Sequence, residues 1–262
     1  MLTVSSADWN SMMGMFLFPL VRILAWLSVD PLLGSRVVPN PIRVGLAVVL
    51  AVVIAPTLPA GPSVALVSGE GFLLLVQQIL IGVALGFALR IVFAAVEMAG
   101  QFMGLQMGLS YATLFDPING AQTQVLSQFL TITSTLMLFA MNGHHQILTA
   151  LWQSFYDIPI AVSASSSVGF MVLVKWAGSI FSAGLHIALP VSAALLTANL
   201  AIGMMTRAAP QLNIFAVGFP ITLSAGFLVL YFSLLYLPAY LERFWQQAIG
   251  AGVSAARGLI GS

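Results

Sequence analysis

The sequence predicts an all-α membrane protein of about six apolar helices, including kinked hairpins, and three observations predict it. Hydrophobic residues make up 60% of the 262, and charged residues only 6%, against about 25% in an ordinary soluble domain. The apolar residues gather into long runs separated by Pro, Gly and Asp breakers, the pattern of helices in a low-dielectric solvent. Eight Lys/Arg against seven Asp/Glu leave a net charge of +1, so no basic footprint for nucleic acid is present.

The first run covers 9–29 and ends at Asp30-Pro31. The segment before it contains Asp8 but no Lys or Arg, so it reads as a retained span rather than a cleaved signal peptide. The second, 44–58, is short and closes in a turn rich in Pro56, Pro59 and Pro62. The third begins near 72 and stays apolar past Arg90 to about 99. The fourth covers 125–141 and stops at Asn142-Gly143. The fifth, 168–205, contains Pro190, and the sixth, 214–237, contains Pro220. A bilayer core takes roughly 20 helical residues. The second and fourth runs are marginal on that count and the fifth is nearly twice too long, so a bundle of upright rods does not suit them.

The Lys/Arg placement sets an orientation. Arg36 and Arg43 follow the first run, Arg90 lies late in the third, and Arg207 separates the fifth from the sixth. A periplasmic N-terminus puts all four on the cytoplasmic side. After Pro238, Leu241, Phe244, Trp245, Ala248 and Ile249 recur at helical spacing. They fit an interfacial or partner-binding amphipathic helix, or a frayed terminal one.

The segment joining the third and fourth runs carries the most information. Gly100, Gly104, Gly108 and Ala112 recur every four residues, which on a helix makes a small-residue stripe that admits another backbone closely. Met103, Met107, Tyr111 and Phe115 keep the same step on the adjacent face. Met fills irregular gaps and repacks at little cost. The spacing fits either a tightly packed helix pair or a hydrophobic constriction that blocks ions by dewetting. Asp116-Pro117-Ile118-Asn119-Gly120 then forms a turn.

Arg22, Arg90, Glu97, Lys175, His186 and Asn199 lie inside apolar runs. A charge at membrane depth costs at least about 2.5 kcal/mol on insertion scales, so each calls for a partner or a wet cavity. Arg90 and Glu97, two helical turns apart, suit a proton relay, or else pairing between subunits and snorkelling at span ends. Cysteine is absent, which removes disulfides and thiolate chemistry. His144-His145 follows Asn142-Gly143 without metal-ligand spacing and reads as a polar loop, as does Ser165-Ser166-Ser167. With no Gly-rich phosphate loop either, the sequence predicts no enzyme, no metal and no cofactor.

The connection from the fifth run to the sixth is the most distinctive. Arg207 and Pro210 break the helix, Gln211 and Asn213 offer hydrogen-bonding groups at the turn, and Gly218 and Pro220 soften re-entry. Thr206-Arg207, then Pro210-Gln211-Leu212-Asn213-Ile214-Phe215 and Gly218-Phe219-Pro220, closely resemble the FliR family, called SctT in injectisomes. Members are membrane components of type III secretion export gates. The resemblance extends to Pro19-Leu20-Val21-Arg22, to the segment from Pro39 through Arg43, and to Gly108 through Pro117, which resembles the family's plug loop. The flagellar branch fits better than the injectisome branch.

What the resemblance implies is a single export-gate domain over 1–262. Its 1–167 part is FliP-like with a plug loop at about 100–122, its 168–240 part is a FliQ-like hairpin, and 241–262 is an amphipathic tail. Such a subunit packs helically with FliP and FliQ, docks to FlhB and FlhA, and passes unfolded flagellar proteins across the bacterial inner membrane at the flagellar basal body. The same resemblance implies that Met103, Met107, Leu109, Tyr111, Leu114 and Phe115 close the conduit. Gly100, Gly104, Gly108 and Ala112 provide close packing, and Arg207, Pro210, Gln211 and Asn213 form the cytoplasmic hairpin tip. Arg22, Arg90, Glu97 and Lys175 supply buried charge pairing. A small-solute secondary transporter is the alternative in another class, but the two halves carry no repeat of discontinuous helices.

Overall fold

A computed structural model of the chain describes residues 6–35, 38–59, 64–65, 67–109, 125–162, 166–209 and 214–260. Among them lie the helices α1 (Ser6–Val29), α2 (Asn40–Ile54), α3 (Gly69–Gln106), α4 (Val125–Ala140), α5 (Gly143–Asp157), α6 (Val168–Ala177), α7 (Ser179–Ala208), α8 (Ile214–Ser233) and α9 (Leu237–Gly258). The expected all-α fold is what forms. Apolar composition and length qualify Asn40–Thr57, Gly69–Gln106 and Val168–Ala208 as membrane-crossing, and up to five spans result if two bent helix pairs each count as one. α3 alone, at 38 residues, is about 57 Å long at 1.5 Å per residue, nearly twice the hydrocarbon thickness.

The chain divides into two compact units: Met1–Ile91 with Asn142–Ala177 and Trp245–Ser262, and Val92–Met141 with Gly178–Phe244. In the first unit, α3 packs on α1 through Gly82 and Gly86. A Cβ at Gly82 would lie 2.9 Å from Trp26 N, and one at Gly86 2.8 Å from Trp26 O. Gly-xxx-Gly spacing on one helix thus allows backbone contact with the next. α6 meets the end of α9 in the same way, since a Cβ on Gly258 would lie 2.8 Å from Gly169 N. The indole of Trp176 donates to Ala88 O at 3.0 Å.

Three sequence expectations change. His144 and His145 lie in the first turn of α5, not in a loop. Asn142, at φ 56, takes the left-handed turn that Asn tolerates, and the helix restarts at once. α5 itself has no counterpart among the six runs. It is amphipathic rather than uniformly apolar, burying Ile147, Leu151, Ser154 and Phe155. The tail is neither interfacial nor frayed: Leu241, Phe244, Trp245 and Ala248 are at most 4% exposed, so its apolar stripe is buried within this chain. The fifth run holds as one 41-residue membrane-capable stretch, Val168–Ala208, in which Gly178 keeps helical φ −58 and ψ −24 between α6 and α7.

In α2, Ala47, Ala51 and Ile54 are buried at steps of four and three. Ile42, Val44, Val48, Val49, Val52 and Val53 point outward. α7 and α8 form a hairpin in the second unit, and their outer faces, among them Phe181, Leu185, Leu196, Leu200 and Phe227, Leu228, are equally apolar. Water would not tolerate this much exposed hydrocarbon; lipid or partner subunits would.

Candidate functional site

The end of α3 is the heart of the second unit. Gly100 faces α4 so closely that a Cβ would lie 2.7 Å from Ser127 N, whereas at Gly104 the nearest atom is Leu126 Cβ at 4.0 Å. Ser127 Oγ donates to Glu97 O at 2.9 Å and secures the crossing. The two glycines share a face, but only Gly100 needs to lack a side chain.

Gly108 does not continue the stripe, because α3 ends at Gln106. Leu109 N donates to Gly104 O at 3.0 Å and Gly108 N to Leu105 O at 3.1 Å, with Gly108 at φ 82. These two bonds and the left-handed glycine make a Schellman motif, which satisfies the last carbonyls of a helix and stops it. Gly108 is therefore the stop residue. Met103 and Met107 are both at most 1% exposed. Met107 fills the space over Gly226 of α8, whose missing Cβ would fall 2.7 Å from Met107 Cγ. Leu109 is half-buried. Tyr111, Leu114 and Phe115, the rest of the expected plug, and Ala112 of the expected close-packing stripe lie outside the described residues.

Of the six polar residues within apolar runs, only Arg22 is buried. Arg90, Glu97, Lys175, His186 and Asn199 are exposed on this chain, and among the described residues neither Arg90 nor Glu97 has an ionic partner. Of the residues expected to pair as buried charges, Arg90, Glu97 and Lys175 are therefore not buried by this chain's own side chains. They face whatever surrounds it.

Arg22 is 0% exposed and is matched with neutral acceptors. Nε donates to Gln78 Oε1 at 2.8 Å, one terminal nitrogen to Ser154 O at 2.8 Å, and the other to Ile158 O at 2.9 Å. Its carbon lies 4.3 Å from the Phe155 ring centroid, within cation–π range. The two carbonyls end α5, where the helix dipole is negative. The guanidinium thus caps a helix C-terminus and joins α1, α3 and α5 without a carboxylate. Nearby on the surface, Asp157 and Arg257 pair at 2.9 Å.

Asp30, just past α1, is 1% exposed. Its Oδ2 accepts from Leu32 N at 3.0 Å and Leu33 N at 2.9 Å, while Oδ1 has no partner. Burial pushes this carboxyl above its ordinary range, opposed by the two backbone N–H groups. The side chain of Arg43 closes the same turn, donating to Leu33 O at 3.1 Å and Ser35 O at 3.2 Å.

In the second unit, Arg207 stands exposed in the last turn of α7, where a cation suits the dipole. Pro210, Gln211 and Asn213 lie outside the described residues. The residues that sequence reasoning missed are Gly82, Gly86, Gln78 and Gly226. The first two carried a readable signal in their four-residue step.

The family model described as "Bacterial export proteins, family 1" matches residues 13–248. The flagellar biosynthetic protein FliR of Pectobacterium carotovorum subsp. carotovorum is 42% identical over 247 residues, 94% of either chain. The protein of that name from Escherichia coli (strain K12) is 43% identical over 226 residues, 86% of each. That from Bacillus subtilis (strain 168) is 34% identical over 219 residues, 82% of this chain and 84% of the other. Matched from the first apolar helix through the middle of α9, the chain belongs to the FliR family of bacterial export proteins.

Proposed function

We propose that this chain is a subunit of the flagellar type III protein export gate and helps form and close the conduit for unfolded flagellar proteins. The observation that carries the reading is the match to the bacterial export family over residues 13–248. The outward apolar faces of α2, α7 and α8 support it, since a gate subunit must bury such faces against lipid and neighbours together. FliP and FliQ are the packing partners, with FlhB and FlhA docked to the assembly in the inner membrane. The subunit works by packing and movement rather than by bond-making.

Closure falls to the segment after the Schellman stop at Gly108, together with Met103, Met107 and Leu109 before and at it. The stop ends the rigid helix just where the plug sequence Tyr111, Leu114 and Phe115 begins. Arg207, Pro210, Gln211 and Asn213 form the cytoplasmic tip of the α7–α8 hairpin. Co-expression with FliP and FliQ, followed by affinity purification and imaging, tests the proposal. A stable ternary complex, and restored swimming in a strain lacking its own FliR, are expected. A monodisperse chain that neither binds FliP and FliQ nor restores motility would overturn it.

A further inference from the structure

Within the second unit, a cavity of about 330 Å³ lies among α3, α4, α7, α8 and the start of α9. Two local irregularities are built into its walls. Pro190 lies in α7 and lines the space, and the chain turns by 64° between α8 and α9 at residues that also line it. Pro190 removes one backbone donor from α7, and the turn between α8 and α9 separates their axes beside the cavity.

The inner wall is apolar and shielded: Met103, Leu130, Leu230 and Leu237 are at most 7% exposed. The Ser233 hydroxyl donates to Val229 O at 2.8 Å, so it asks nothing of an occupant. A water needs two to four polar partners to stay in a cavity, and this wall offers almost none. The outer edge differs. Phe232 is 53% and Tyr236 77% exposed, and the His186 ring stacks on Tyr240 with centroids 5.0 Å apart and planes at 20°. The site therefore has a dry interior, an apolar mouth and two polar rings at its rim.

We propose that this cavity is a lipid site that takes one acyl chain, with His186 and Tyr240 receiving the polar head at the rim. Size and setting select this occupant. An apolar cavity of about 150 Å³ takes up benzene, so 330 Å³ holds about twelve carbons on that scale. A partner helix, about 10–12 Å across, is too wide to enter. α7 belongs to a membrane-capable stretch that is mostly exposed on this chain, which brings hydrocarbon to the mouth. The proposal goes beyond the export reading and depends only on the chain lying in a membrane. An acyl chain there would touch Met103 directly, so occupancy would reach the end of α3.

The test uses the complex assembled in native membranes with its partner subunits. A phospholipid bearing a diazirine near the end of one acyl chain is photolysed, and adducts are mapped by mass spectrometry. Adducts at Leu230, Ser233 and Leu237 should exceed those at the buried Leu195, outside the cavity, by at least fivefold. Val229→Phe, which fills the cavity, should remove that excess while leaving labelling of the outward Leu228 unchanged. In the unmodified complex, equal labelling of Leu230 and Leu195 would overturn the proposal however the variant folds. So would an excess that a normally assembled Val229→Phe complex retains.

Discussion

Met107 occupies the space that Gly226 leaves empty: a Cβ on Gly226 would stand 2.7 Å from Met107 Cγ, 2.8 Å from Cε and 2.9 Å from Sδ. Gly226→Leu should therefore push Met107 out and lower recovery of assembled complex severalfold. Because the clash is with a flexible side chain, Met107→Ala should restore part of the loss. The two substitutions should couple by roughly 1 kcal/mol or more in a double-mutant cycle. Thermal melting of the purified complex measures this, and strictly additive losses would contradict the contact.

Gly100 and Gly104 should part company. Gly100→Ala forces a methyl into the backbone of Ser127, an overpacking worth about 1–3 kcal/mol. Gly104→Ala meets only an ordinary contact with Leu126 and should be neutral, or stabilising by up to about 1 kcal/mol through helix propensity. Swimming-halo diameter and complex yield should fall for the first variant and hold for the second.

Arg22→Met should cost about 1–3 kcal/mol for each buried acceptor it leaves unsatisfied. It strands Gln78 Oε1 and the end of α5. Arg22→Lys should recover little, since an ammonium lacks the fork that reaches Gln78, Ser154 and Ile158 together. Asp157→Asn breaks an exposed pair and should cost less than about 1 kcal/mol. Steady-state protein level and melting temperature rank the three.

Asp30 should give a pH signature. Its folded pKa is raised, so the native chain holds the proton more tightly than the unfolded one. The stability contributed is complete below the ordinary value near 3.8 and is lost as pH rises through the higher folded value. The stability of the native protein relative to Asp30→Asn should thus decline as pH increases from about 4. A difference that is flat with pH would mean Asp30 is solvated.

Closure itself is testable in the assembled gate. Replacing Met103, Met107 and Phe115 together with Ala should raise resting ion conductance, because a shorter apolar barrier wets more easily. Conductance that stays at the wild-type level in a complex of normal yield would remove these residues from the closing role.

Much of the fold was legible because hydrocarbon burial writes itself as long apolar runs: 125–141 became α4 almost unchanged, and 72–99 became α3, which runs seven residues further. α5 was hidden by His144, His145 and Gln146 at its start, though Ile147, Leu151 and Phe155 keep a four-residue step. The four-residue spacing of Gly100, Gly104 and Gly108 was visible, but only the path of α4 decides that Gly100 is tight and Gly104 loose. Likewise, Arg22 and Arg90 look alike in sequence. What separates them is the presence of α5's terminal carbonyls, which is a property of tertiary packing alone.

The Arg22 cluster also imposes a timetable. Its acceptors Ser154 and Ile158 lie 132 and 136 residues downstream. At a synthesis rate of 5–20 residues per second, the guanidinium waits roughly 7–27 s between its own appearance and theirs. During that interval a cation destined for complete burial lacks the two carbonyls that complete its site, even after Gln78 has been made. The nascent chain must keep α1 near water, or in the care of the insertion machinery, and commit it only after more than half the protein has been made.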